Sequence, residues 1–348
     1  MQIIFLTRRF LPDVGGVERH ILEISKRFQK KSLDLIIIAD KAGKNFKDKE
    51  IIQNFKVIRL DSSKNKIKGI GLIKIWLWLW ENKNLLKQTD LIHIHDVFIW
   101  FLPLKFIFLC KPVFLTFHGY ESYPIRKRAI LIRKISELLS WGNICIGDFI
   151  RKWYSTKPNY VIYGGVDFVK FKSTRTKNKF DAVFSSRLDE QSGITEYLEA
   201  VKILKKRGII FKLAVLGDGK YKKQADKVAT TFGFVKDPSP YFRQSRFAFV
   251  SRYLAILEAM ACKKLVFATY DNPLKEDYLR MTPFAKWIII EKDPRKLADR
   301  VEYYIKHPKE EKKLTEPAYR WAVKQTWDKV VDVYIKLWKQ GGVNIPKS

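Results

Sequence analysis

Two short stretches of this chain have the residue types and spacing to hold a phosphate. In FLPDVGGVERH, Gly15 and Gly16 stand behind an apolar run, QIIFLT (2–7), and at the start of an amphipathic stretch. A helix N-terminus presents unpaired N–H groups and a partial positive charge, and glycine lets an anion approach the backbone closely. The pair is GG and not GxGxxG, so a plain tight turn explains it as well. A second such end lies in SRYLAILEAMA, where Leu254 to Glu258 open a helix behind a strand. His93 and His95 alternate in HIHD, which puts both on one face of a strand, as metal ligands could be. No third His, Cys or paired carboxylate stands beside them and no DxD pair occurs, so no metal is expected. A G-x-S-x-G elbow and a P-loop lysine are absent as well. Cys110, Cys145 and Cys262 are scattered without CxxC spacing and read as buried small hydrophobes in a reducing compartment.

Charge narrows the partners. The chain carries 67 Lys+Arg against 36 Asp+Glu, a formal +31, which attracts anions at long range. Nucleic acid is not expected, since no reading motif accompanies the charge. YPIRKRAILIRKISELLSW sets Arg126, Lys127, Arg128, Arg133 and Lys134 along a helix with Ile130, Leu131, Ile135, Leu138 and Leu139. Such a basic amphipathic helix can lie on an anionic bilayer, although a solvated surface accounts for it too. GIGLIKIWLWLW (69–80) is too short to cross roughly 30 Å of hydrocarbon and is interrupted by Lys74. Val97 to Phe117 carries Pro103, Lys105, Lys111 and Pro112 and reads as a helix followed by a strand. The opening MQIIFLT runs straight into Arg8 and Arg9 and reads as a buried strand, not a signal peptide. A cytoplasmic protein, peripheral at the inner membrane face, is expected.

The elements that must position these residues recur in two sets. At 348 residues the chain suits two domains of about 150 residues. In the first half, apolar runs at 2–7, 33–40, 55–61, 90–96, 112–119 and 143–148 are separated by helix-length segments. The helix from Gly16 places Val17, Ile21, Ile24 and Phe28 on one face. The pattern restarts at 180–188, with a helix from Thr195 to Lys206 and further runs at 211–219, 247–251, 265–270 and 287–291. Alternating strands and helices imply βαβ units and parallel sheets. The expected division is a first domain at 1–167, a basic linker at 168–179, a second domain at 180–320 and a C-terminal helix at 321–348 that returns to the first domain.

Eight stretches in order resemble the motif series of glycosyltransferase family 4: PDVGGVERHILEIS, DLIHIHD, TFHGYE, VIYGGVD, SSRLDEQSGITEYLEAVKIL, VLGDGKY, FGFVKDPSPY and LEAMACKKLVFAT. The likeness runs from about residue 1 to 330. It implies an α/β protein of two Rossmann-like domains facing a cleft, the GT-B fold. It further implies a retaining, metal-independent hexosyltransferase without a cofactor, whose co-substrate is a nucleotide sugar such as a UDP- or GDP-sugar. The acceptor would be a glycan or a lipid-linked acceptor. Residue by residue, the resemblance implies that Glu258 holds the ribose, Arg187 binds the diphosphate, and His118 hydrogen-bonds the donor sugar. Gly15 and Gly16 would lie against the diphosphate and the acceptor, Leu254 at the helix start, and Gly233, Phe234 and Val235 against the base. Plainer readings exist: Glu258 as a helix-surface carboxylate, Arg187 as a solvated strand-end charge, His118 as a core histidine.

The likeness breaks at two points. The family has a sugar-gripping glutamate eight positions before the LEAMA glutamate, where this chain has Val250, inside the expected strand. It also has a lysine five positions after the arginine, where this chain has Ser192; Arg252, Lys263 and Lys275 are nearby replacements. Two readings follow: a transferase with rebuilt contacts, or a catalytically silent nucleotide-sugar or glycan binder.

Overall fold

The β-branched and aromatic runs form the strands of two separate sheets. The computed structural model describes residues 1–41, 45–62, 70–172 and 176–346. The chain divides into two compact units, one of Met1–Ile162 with Trp327–Ser348 and one of Tyr163–Thr326.

In the first unit the strands are β1 (Gln2–Thr7), β2 (Asp34–Asp40), β3 (Lys49–Ile52), β4 (Phe55–Leu60), β5 (Leu91–His95), β6 (Val113–Phe117), β7 (Gly142–Ile146) and β8 (Tyr160–Ile162). Their order is β3-β4-β2-β1-β5-β6-β7-β8. All neighbours are parallel except β3, which runs antiparallel to β4. Strands covered on both faces must be apolar throughout, and Ile3, Ile4 and Phe5 of β1 are fully buried. Sequence periodicity passes over β3 because this edge strand leaves Ile51 exposed and has no buried face to impose alternation.

The helix Gly16–Lys30 buries His20, Ile21, Ile24, Ser25 and Phe28. His20 thus takes a place in the core that the apolar pattern assigns to Val17. The final helix, Trp327–Gln340, buries Trp327, Tyr334 and Trp338 within this same unit.

In the second unit the strands are β9 (Phe180–Ser185), β10 (Leu213–Leu216), β11 (Thr230–Thr231), β12 (Ser245–Phe249), β13 (Leu265–Ala268) and β14 (Ile289–Ile290). Their order is β11-β10-β9-β12-β13-β14, parallel throughout. The helix Ile194–Lys206 buries Tyr197, Val201 and Leu204 in a core shared with Phe184 and Phe249. Within the stretch 168–179, Phe168–Phe171 forms a short helix, and Phe171 is buried against Phe242. Residues 173–175 of that stretch lie outside the described residues.

Each sheet reverses its strand order once, between β1 and β5 and between β9 and β12. Open parallel sheets bind ligands beyond the carboxyl ends of the strands at such reversals, because the flanking loops diverge there and leave a crevice.

Candidate active site

The residues that follow the reversal strands are the ones with chemical character. Behind β1, Gly15 is extended backbone, φ −161 and ψ −175, just before the helix Gly16–Lys30. A Cβ on Gly16 would meet nothing within 4 Å, so the helix start is open to an approaching group. Behind β5, Asp96 has φ +62, in the left-handed region that few residues other than glycine, asparagine and aspartate tolerate. Its Oδ1 accepts the backbone N–H of His118 at 2.9 Å, just past β6. Desolvation by crowded surroundings raises this carboxyl to about 6, opposed by Arg133.

His118 is half-buried, and its Nε2 lies 2.8 Å from His95 Nδ1. Burial, then the Arg133 charge, lowers its imidazole to about 3. Burial also holds His20, His93 and His95 well below the usual histidine range, so these four rings are neutral at pH 7. The Trp338 indole N–H donates to His93 Nδ1 at 3.0 Å, and His93 Nε2 lies 2.8 Å from Thr116 Oγ1. Thr116 in turn meets the Tyr334 hydroxyl at 2.8 Å, and Tyr334 meets His20 Nε2 at 2.9 Å. The two histidines of HIHD are thus engaged with protein partners, and no metal-holding group of three ligands occurs among the described residues.

Charge gathers instead in the second unit. Behind β9 come Arg187 and Asp189; behind β12 comes Arg252. Arg187 is exposed, with Nε 3.6 Å from Asp189 Oδ2, while Arg252 Nη2 lies 3.3 Å from Asp189 Oδ1. Two guanidinium groups therefore flank one carboxylate. The Arg252 Nε–H is buried with no hydrogen-bond partner among the described residues. The loop bearing Arg187 is braced from behind: Leu188 N–H donates to Asp218 O at 2.9 Å and Ser186 N–H to Leu216 O at 3.1 Å. Gly217, at φ +145, backs this loop so closely that a Cβ would collide with the Ser186 carbonyl.

Ser192 is buried and donates its hydroxyl to Asp189 O at 2.7 Å, so position 192 supplies no cation. Of the three nearby replacements, Lys263 pairs with Glu316 at 2.9 Å. Lys275 is buried and donates to Ser251 O at 2.6 Å; burial, then the Arg252 charge, holds it well below the usual lysine range. Of these three, Arg252 shares a partner with Arg187.

The helix Tyr253–Ala261 begins directly after Arg252. Leu254 is half-buried in its first turn, and Glu258, its sixth residue, is 2% exposed, which removes the reading of a solvated surface carboxylate. Val250 lies just past the last residue of β12, not inside the strand, with its N–H bonded to Phe267 O at 3.1 Å. Gly233 has φ +65 and gives its carbonyl to Gly217 N–H at 2.7 Å; Phe234 beside it is exposed and Val235 half-buried.

Two further expectations need correction. Cys145 and Cys262 are buried as expected, but Cys110 is exposed. Arg133 is not on the outer face of its helix, Lys127–Leu139, but buried, bonded to Glu121 at 2.9 Å and stacked on Tyr154. The helix turns Leu131, Ile135 and Leu138 outward instead. Ile73, Leu77 and Trp80 of the helix Ile70–Glu81, with Phe106 and Ile107 of the helix Phe98–Ile107, are exposed nearby in the same unit. No helix among the described residues is long and apolar enough to cross a membrane.

Comparison with known proteins finds matches over both units. Residues 14–170 match Glycosyltransferase Family 4, and residues 166–321 match Glycosyl transferases group 1. This chain belongs to glycosyltransferase family 4. A relative by sequence is the GDP-mannose:cellobiosyl-diphosphopolyprenol alpha-mannosyltransferase of Xanthomonas campestris. It is 22% identical over an alignment of 240 positions that covers 62% of this chain and 60% of that protein, so this chain spans less than two thirds of its length. Among solved structures, a glycosyltransferase from Rickettsia africae has a TM-score of 0.71 at 16% identity, covering 99% of both chains. The sucrose-phosphate synthase of Thermosynechococcus elongatus has a TM-score of 0.74 at 14% identity, over 98% of this chain and 99% of that one. The Anabaena protein HepE in complex with UDP has a TM-score of 0.70 at 13% identity, over 97% and 100%. These likenesses establish the GT-B fold, two Rossmann-like α/β domains, for this family 4 chain.

The family likeness assigns no role to Asp189 or His95 and offers Arg252 only as one of three nearby replacement cations. The signal for the first was present in SSRLDE, where the aspartate stands two residues behind Arg187. For His95 it was the parallel register, which sets His95 opposite Thr116, two residues before His118.

Proposed function

We propose that this family 4 chain is a retaining glycosyltransferase that moves a hexose from a nucleoside diphosphate to an acceptor hydroxyl. The observation that carries the reading is the pair of guanidinium groups, Arg187 and Arg252, on one carboxylate at the β9/β12 reversal. A diphosphate brings more negative charge and more acceptor oxygens than Asp189, so it competes well for both arginines. In this reading Arg252 supplies the cation that Ser192 does not. Glu258 accepts the ribose hydroxyls, the turn Gly233–Val235 meets the base, and the helix start at Leu254 adds backbone dipole to the phosphates. His118 hydrogen-bonds the sugar, and Gly15 and Gly16 give the diphosphate room beside the first helix.

During transfer the bond from the anomeric carbon to the diphosphate oxygen breaks, and a bond to the acceptor oxygen forms on the same face. The acceptor proton passes to the departing phosphate oxygen. Arg187 and Arg252 stabilise the charge that grows on that phosphate, the largest electrostatic demand of the step. No metal is invoked, since two arginines do this work.

The outward apolar side chains support a lipid-linked acceptor class. The exposed Ile73, Leu77, Leu131 and Leu138 stand near Lys74, Lys127, Arg128 and Lys134, a combination that suits an anionic bilayer. The Xanthomonas relative acts, by its name, on a diphosphopolyprenol-linked sugar with GDP-mannose. A lipid-linked acceptor at the inner membrane face, with a UDP- or GDP-sugar as donor, is the proposal; a polysaccharide end is the second acceptor class. The test is release of nucleoside diphosphate from a panel of UDP- and GDP-sugars, with acceptor membranes already shown to support a related active transferase. Turnover that disappears in Arg187→Ala supports the reading. Tight nucleotide binding with no turnover of any panel donor would replace it with the silent binder.

A further inference from the structure

Two histidines in contact must divide their protons, and here the division can be worked out. His95 Nδ1 and His118 Nε2 are 2.8 Å apart, so one of them is an N–H and the other a lone pair. If His118 Nε2 were the donor, the single proton of neutral His95 would sit on its own Nε2. That atom is buried and has no hydrogen-bond partner among the described residues. An orphaned buried N–H is among the rarest features of folded proteins, whereas an idle lone pair in an aromatic surrounding is better tolerated. The reverse arrangement leaves only that lone pair.

The neighbouring rings do not offer His95 another partner. His93, with its ring centroid 5.1 Å away, is already committed on both nitrogens. The Trp338 indole is a donor only, so His93 Nδ1 accepts from it and His93 Nε2–H donates to Thr116. His20 packs edge-on against His118, with centroids 4.9 Å apart at 84°, and its Nε2 is bonded to Tyr334.

We infer that His95 is a positioning residue: it donates its Nδ1–H to His118 Nε2 and thereby holds His118 in the Nδ1–H tautomer. His118 then presents a fixed N–H donor, not a lone pair, to whatever it meets. The inference rests on the reading that His118 contacts the transferred sugar, where a fixed donor selects for a hydroxyl oxygen at that point of the ring. A carboxamide can imitate the arrangement, because the Nδ2–H of an asparagine at position 95 occupies nearly the place of the histidine Nδ1–H.

The experiment is long-range 1H–15N correlation of the imidazoles in the full chain near pH 7, for wild type, His95→Asn and His95→Leu. Expected are Nδ1–H forms for His95 and His118 in the wild type, and retention of Nδ1–H on His118 in His95→Asn. In His95→Leu, His118 moves toward Nε2–H. With a turned-over donor, His95→Leu lowers kcat/KM about tenfold or more, the scale of one lost hydrogen bond in a buried site, and His95→Asn recovers most of it. Binding of the free nucleoside diphosphate stays the same in all three. A wild-type His118 carrying its proton on Nε2 overturns the proposal, and wild type and His95→Asn decide the matter even if His95→Leu does not fold. Should no donor be turned over while the tautomers are as expected, the transferase reading fails and the positioning role stands.

Discussion

The two strand-order reversals are built from opposite materials. At β1/β5 and the adjoining end of β6 the chain gathers His20, His93, His95 and His118, buried or half-buried, neutral and bonded to one another or to Thr116, Tyr334 and Trp338. At β9/β12 it gathers Arg187, Asp189 and Arg252, charged and reaching solvent. The same α/β architecture thus offers a set of neutral hydrogen-bonding groups in one unit and a paired cation in the other. Folds of this kind fix where ligands bind but not what they are; the residues behind the strands decide that. Neutral donors suit hydroxyls, and paired guanidinium groups suit phosphates.

The largest expected effect breaks the neutral region. Four histidines are held below the range they have in an unfolded chain, so below about pH 6.5 the unfolded state binds more protons than the folded state. Their contribution is therefore present above pH 6.5 and lost as pH falls, by about 1.4 kcal/mol per pH unit for each histidine that stays neutral. Asp96, raised to about 6, acts in the opposite direction as one group against four. Urea midpoints at pH 8, 6.5 and 5 should show a steep fall across the last interval. A flat profile would mean that these rings titrate normally.

Breaking the charged region comes next. Arg187→Ala and Arg252→Ala should each weaken nucleoside diphosphate binding by about 1.5–3 kcal/mol and leave a bare nucleoside almost unaffected. Arg187→Lys should recover part of the loss, since an ammonium lacks the bidentate fork. Because both arginines share Asp189, the double variant should lose less than the sum. Titration calorimetry reads all four; equal losses for nucleoside and diphosphate would remove the arginines from the phosphate.

Glu258→Gln sharpens the contrast within the second unit. It should weaken the nucleotide and the nucleoside alike, by about 1.5 kcal/mol, because a ribose contact does not depend on phosphate. A loss confined to diphosphates would reassign Glu258 to that end of the ligand. The smallest effect concerns the outward apolar helix: Leu131→Ser with Leu138→Ser should reduce co-sedimentation with anionic vesicles and leave nucleotide affinity as it is. Equal binding to neutral vesicles, insensitive to salt, would end the electrostatic version of docking.

Much of this was legible in the residues. The parallel strands are short apolar runs between amphipathic stretches, and burial on both faces writes that pattern directly into QIIFLT and LDLIIIAD. The positions behind β1, β6 and β9 carried motifs that marked Gly15, His118 and Arg187. Arg133 was misread because charge on a helix is taken as solvated unless a partner is known, and its partners Glu121 and Tyr154 lie outside that helix. The short β3 was missed because an edge strand needs no apolar face. Arg187 and Arg252 stand 65 positions apart in the chain and His95 and His118 stand 23 apart, and each pair comes together only through the parallel register of its strands.

The most direct test of the central claim is an affinity ladder on the wild-type protein by titration calorimetry: nucleoside, monophosphate, diphosphate and diphosphate sugar, in uridine and guanosine series. With Arg187 and Arg252 gripping the diphosphate and no glutamate at position 250 to grip the sugar, the account predicts a rise from monophosphate to diphosphate. It then predicts a plateau, the sugar conjugate lying within about tenfold of the diphosphate. A ladder that stays flat through the phosphates in both series would contradict it.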